Sequence, residues 1–145
     1  MEINFKKVHT GKDLAISSIV LLSGIGLFFV NNGLGIITAV CGVAMFFLYK
    51  GGYKKDGQGI VLQKKSEDLC KCCKPTVLDY LNGKEVTPQI KKGNEGGSVR
   101  LDVYYNAAAG IAYAQLFDFL NYSYEPGTDV VELHSPKADK LISQL

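Results

Sequence analysis

The chain has 145 residues, a formal net charge of +2 and a single arginine, Arg100. That balance argues against a nucleic-acid partner, which calls for a basic, arginine-bearing face on the folded domain. The total hides a segregation, with +1 on residues 1–13, +4 on residues 50–65 and −3 on residues 66–145. Basic charge therefore flanks the apolar part of the chain, and the distal part is acidic.

Residues 1–13 read as a polar tail in which Lys6, Lys7 and Lys12 lead to the apolar part. From Leu14 to Tyr49 there is no Asp, Glu, Lys, Arg or His, and the stretch breaks at Asn31-Asn32-Gly33. This predicts two membrane-spanning helices, 14–30 and 34–49, joined by a turn at 31–33. At ~1.5 Å per residue each reaches about 25 Å, near the lower limit for crossing ~30 Å of hydrocarbon. A secretory leader fits less well, because no small-x-small cleavage site follows the first run and a second apolar run begins almost at once. A buried hairpin in a soluble protein fits less well too. The remaining residues are too few to cover two helices that are apolar all round.

Small residues recur on both helices: Gly24 and Gly26 on the first, Gly35, Ala39 and Gly42 on the second. Lipid supplies no hydrophobic drive for helices to pair, so close backbone approach at such residues is expected to hold the hairpin together, or to pair it with a second copy. Lysines lie before the first span and after the second, and none lies in the turn. By the positive-inside rule both termini face the cytoplasm, making the chain an integral, two-span membrane protein.

Residues 50–58 form a basic Gly/Lys linker. Lys12, Lys50, Lys54 and Lys55, with Tyr49 and Tyr53, are the candidate contacts to the membrane surface, where lysine meets anionic headgroups and tyrosine sits in the aromatic belt.

Residues 59–145 predict a cytoplasmic α+β domain in the order β-α-β-β-β-α, an antiparallel meander with one or two helices on a face. Ile60–Leu62 is a short strand. Ser66, followed by Glu67 and Asp68, opens a helix that Asn82-Gly83 closes. Pro75 within it signals a kink, or a junction of two short helices with Pro75 in the first turn of the second. A loop with a glycine-rich turn at 93–97 follows. Alternation over Val99–Tyr105 predicts a strand, and Asn106–Gly110 a connection. Residues 111–120 fit both periodicities, with their aromatic content favouring strand over helix. Tyr124-Glu-Pro-Gly-Thr128 is a type II turn into a strand at 129–134, and Ser135-Pro136 caps a terminal helix.

No catalytic motif is present, and neither an enzyme nor a cofactor is expected. The cluster Cys70, Cys72, Cys73 is the main chemical feature. As a metal site it lacks a second Cys pair, since the domain's one histidine is His134. As a thiol site it has lysines beside it that depress a thiol pKa. On the predicted helix Cys70 and Cys73 share a face and Cys72 points elsewhere. Tyr104, Tyr113, Tyr122 and Tyr124 crowd the meander and form the candidate partner surface, because tyrosine is enriched where proteins meet.

These observations lead to a non-enzymatic, membrane-anchored interaction module. It would be a small subunit or accessory protein of a membrane complex, with the lipid bilayer and a protein partner or second copy as its contacts. The alternative is a thiol-redox or metal-dependent role for Cys70, Cys72 and Cys73. A third reading, lipid sensing at the inner leaflet, resembles the general plan of membrane-anchored pleckstrin-like domains in layout, with no residues carried across.

Overall fold

The structure is a computed structural model, and it describes residues 4–88, 90–91 and 99–145. The expected glycine-rich turn at 93–97 lies outside the described residues. The chain divides into two compact units, one comprising Lys6–Lys54 and the other Met1–Phe5 with Lys55–Leu145.

Strand β1 (Phe5–Val8) pairs with β2 (Gly52–Lys55), and between them run helices α1 (Gly11–Phe28) and α2 (Asn32–Leu48); all of this lies in the first unit except the strand ends Phe5 and Lys55, which belong to the second. The tail and linker, expected to be irregular, thus contribute strands. Lys6 and Lys7 carry no apolar signal, and the two segments pair only because the helices return the chain to its starting end.

Helix α1 opens on a reciprocal cap. The Asp13 N–H donates to Thr10 Oγ1 at 3.2 Å, and the Thr10 N–H donates to Asp13 Oδ2 at 2.8 Å. The same carboxylate accepts the Gly51 N–H at 2.8 Å, tying the chain beyond α2 to the start of α1. Asn31 caps α2 by accepting the Leu34 N–H at 3.2 Å. Its cap draws Asn32 and Gly33 into the helix, so the turn falls at 29–31 rather than 31–33.

The second unit is an α+β arrangement around a five-stranded antiparallel sheet. Strands β3 (Gln63–Leu69), β4 (Val99–Asn106), β5 (Ile111–Leu120) and β6 (Ser123–Pro126) follow one another, and β7 (Val131–His134) pairs with the first half of β5. β5 is long enough to serve β7 at Ile111–Ala114 and β6 at Phe117–Leu120. Helices α3 (Lys74–Leu81) and α4 (Lys137–Ile142) supply Val77, Tyr80, Leu81, Ala138 and Leu141 to a core completed by Leu69, Val99, Leu101, Val103, Ala112, Ala114 and Leu116.

Three expectations are corrected. The short strand at Ile60–Leu62 gives way to β3, and the helix expected from Ser66 begins only at Lys74. Ser66–Leu69 instead complete the ladder with β4, where Ser66 faces Asp102 and Leu69 faces Val99. Tertiary pairing overrides the local cap signal, and Pro75 occupies the first turn of α3, where its missing N–H costs nothing. The turn at 124–128 is in part strand β6, so the order gains a strand. Residues 111–120 are strand, as their aromatic content predicted.

Candidate functional site

The α1–α2 pair inverts the usual burial. Its buried positions are Asp13, Ser17, Gly24, Gly35 and Gly42, while large apolar side chains point outward, with Leu22 65% and Phe47 67% exposed. Backbone proximity explains the glycines. A Cβ on Gly24 would lie 2.3 Å from the Ala39 nitrogen, one on Gly35 2.4 Å from Phe28 Cα, and one on Gly42 2.6 Å from the Leu21 nitrogen. Gly26 meets nothing within 4 Å and lies off this seam. Of the small residues singled out in the sequence, the fold brings Gly24, Gly35, Ala39 and Gly42 to the helix contact and leaves Gly26 outside it.

α1 is long and apolar enough to cross a membrane, with a mean hydropathy of 1.5. α2, at 17 residues, is a shorter apolar helix. Lys12 and Lys50 are exposed at the end of the pair where Asp13 meets Gly51, and Tyr49 is exposed beside them. Tyr53 and Lys54 lie half-buried in β2. Lys55 is engaged elsewhere: its ammonium lies 3.1 Å from Glu132 and 4.6 Å from the centroid of the Tyr113 ring. The hydrogen bond to Glu132 raises its pKa above the usual lysine value.

The sheet face turned away from α3 and α4 is a polar-aromatic layer. Tyr104 and Tyr113 are cross-strand neighbours, and Phe5 stacks on Tyr104 with centroids 4.0 Å apart while meeting Tyr113 edge-on. Asp102, buried in this layer, pairs with Lys64 and Arg100, each at 2.9 Å. The Arg100 guanidinium covers the rings of Phe117 and Tyr124 at 4.8 and 4.4 Å. Tyr124 also donates to Asp68 at 3.1 Å. Tyr113 is buried and donates to Gln58 at 2.9 Å. Of the four candidate partner tyrosines, Tyr104 and Tyr113 are therefore packed into the fold and Tyr124 is braced, while Tyr122 is 97% exposed.

Tyr122 tips the β5–β6 hairpin. Asn121 and Tyr122 have φ of 50° and 62°, the left-handed values that a two-residue type I′ connection demands. Asn suits its position, but the second normally takes glycine. Phe119 and Leu120 stand exposed beside it, and Phe119 contacts the Tyr124 ring edge-on. The sequence reading named no surface at these two residues, placing them only within the segment 111–120. The detectable signal was Asn121-Tyr122 between two β-type runs.

The cysteines take positions the helical reading did not anticipate. Cys70 is extended at the end of β3, and a 3-10 turn over Lys71–Cys73 folds back from it. Cys72 Sγ lies 2.6 Å from Cys70 Sγ and 3.9 Å from Cys73 Sγ. Cys72 is thus the partner of Cys70, while Cys73 is buried against the core. The hydrogen bond from the Cys72 thiol lowers the Cys70 pKa below the usual thiol value and pushes that of Cys72 up to about 11. Among the described residues, no group of three or more His, Cys, Asp or Glu side chains is arranged to hold a metal ion.

No protein-family model matches this chain, nor does any curated protein or solved structure.

Proposed function

We propose that this chain is a non-enzymatic, membrane-anchored interaction module. In this reading α1 and α2 form a two-span hairpin with both termini on the cytoplasmic side, and the α+β unit engages a partner protein through the exposed tip of its β5–β6 hairpin. The observation that carries the anchoring is the inverted burial of the helical pair, with small residues inward and large apolar ones outward. Water penalises that arrangement, and a bilayer stabilises it. The two helices reach about 27 and 25 Å, close to the hydrocarbon thickness. Lysines at the base and none in the turn favour the stated orientation.

The partner surface rests on Phe119, Leu120 and Tyr122. An exposed aromatic group on a rigid hairpin has the character of an interface anchor. Holding tyrosine at a left-handed φ costs about 1 kcal/mol that glycine would not incur, so the tip sacrifices some stability to present an aromatic ring.

Alkaline extraction of membranes from expressing cells tests the anchor. The chain should stay in the membrane pellet, and its release into the supernatant would refute the anchoring. A photo-crosslinking amino acid at Tyr122 tests the surface in the same membranes. One discrete crosslinked protein is expected from this position and not from the exposed Asn82 side of the domain. Equal labelling from both positions would remove the tip from the reading.

A further inference from the structure

Three thiols lie within four residues, and geometry discriminates among them. Cys73 is buried, with 5% of its surface exposed. Cys72 is exposed and Cys70 half-buried, and their sulfurs are 2.6 Å apart against 3.9 Å between Cys72 and Cys73. The backbone maintains this approach. The Cys70 N–H donates to the Lys91 carbonyl at 3.1 Å, and the Cys73 N–H donates to the Cys70 carbonyl at 2.9 Å, closing the turn that brings Cys72 back over Cys70. Both bonds hold the backbone and leave the thiols available.

We propose that Cys70 and Cys72 form a reversible dithiol–disulfide pair that exchanges with small-molecule disulfides, Cys70 being the attacking sulfur and Cys72 the resolving one. The Cys70 thiolate attacks one sulfur of the small disulfide, forming a mixed disulfide and expelling one small thiolate. Cys72 then loses its proton to that departing thiolate and attacks Cys70 Sγ. The protein disulfide closes and the second small thiolate leaves, taking up from solvent the proton that Cys70 released on ionising. The pair has lost two electrons and two protons, and the small disulfide has become two thiols.

The order of the roles follows from which sulfur carries the charge. Cys70 receives the hydrogen bond from Cys72 and the field of Lys91, so it ionises first, and the thiolate is the nucleophile. Cys72 becomes a nucleophile once Cys70 is in the mixed disulfide and no longer accepts its proton in a hydrogen bond. The inference does not depend on how the chain is anchored. If the unit faces a reducing compartment, the disulfide form is transient and reports oxidant exposure.

The test uses the full-length protein in detergent. It is incubated with oxidised glutathione, blocked with N-ethylmaleimide and cut with trypsin, which cleaves after Lys71. The expected product is a disulfide-linked pair of peptides joining Cys70 to Cys72, with Cys73 free of glutathione. In Cys72→Ser the reaction should stall with one glutathione retained on Cys70, and dithiothreitol should return the wild-type pair to two thiols. Three outcomes would overturn the proposal: persistent glutathione on Cys70 in the wild type, a link between Cys72 and Cys73, or alkylation of both Cys70 and Cys72 after oxidant exposure.

Discussion

The two units of this chain solve opposite packing problems. In the sheet unit, Leu101, Val103, Leu116 and Tyr80 are buried and Lys64 and Asp68 of β3 are exposed, as burial of apolar area in water requires. In the helical pair, the buried set is Asp13, Ser17 and three glycines, and the large apolar side chains are outside. In the proposed reading the same forces give both results, because the surroundings differ. Where water is the solvent, area removed from it stabilises the fold. Where apolar surroundings replace water, leucine gains little by turning inward, and backbone proximity at glycine and hydrogen bonding of the few polar groups take over. Asp13, 5% exposed, accepts hydrogen bonds from Thr10 and Gly51 and so closes the base of the pair.

The comparison can be broken from either side, and the largest effect belongs to the sheet. Leu101→Ala removes a fully buried side chain between the sheet and its helices. It should cost about 2–5 kcal/mol, read as a lower unfolding midpoint in the near-ultraviolet signal of the sheet tyrosines. A negligible shift would mean that the sheet unit does not rest on this core.

Gly24→Leu probes the helical pair. A Cβ there lies 2.3 Å from the backbone of Ala39, so the helices must separate, at about 1–3 kcal/mol. The matched control is Gly26→Leu, which meets nothing within 4 Å. Melting in detergent, followed by the helical far-ultraviolet signal, should distinguish the two. Equal behaviour would show that the glycine seam does not hold the pair.

The smallest effect has the opposite sign. Tyr122→Gly relieves a left-handed φ and should stabilise the sheet unit by about 1 kcal/mol, while abolishing capture of the partner in the crosslinking assay. Loss of stability would contradict the strain assigned to the tip, and unimpaired capture would contradict its proposed role.

Legibility in the sequence differed between the units for a physical reason. The helices are local structures, and the apolar stretch, the Asn31 break and the small residues could be read directly, with a shift of about two residues at the turn where Asn31 caps α2. Gly26 could not be separated from Gly24, because which side of a helix meets its neighbour depends on the neighbour. In the sheet unit, alternation located β4 and aromatic content located β5. β3 was hidden, since Gln63–Leu69 is a charged edge strand without apolar alternation, and Ser66-Glu67-Asp68 imitates a helix start.

The site was less legible than the fold. Four tyrosines looked alike in the chain, and only the cross-strand register with Phe5 and Lys55 buried Tyr113, packed Tyr104 and left Tyr122 at a hairpin tip. The cysteine spacing was visible, but its meaning changed with the backbone: a helix would have paired Cys70 with Cys73, and an extended residue followed by a 3-10 turn pairs it with Cys72. By itself the sequence determined the two apolar helices and the break between them, because the absence of charge and an Asn-Asn-Gly interruption act within a few residues. Only the tertiary structure decided which tyrosine is free and which thiols meet, because those depend on strand register and chain reversal between residues far apart in sequence.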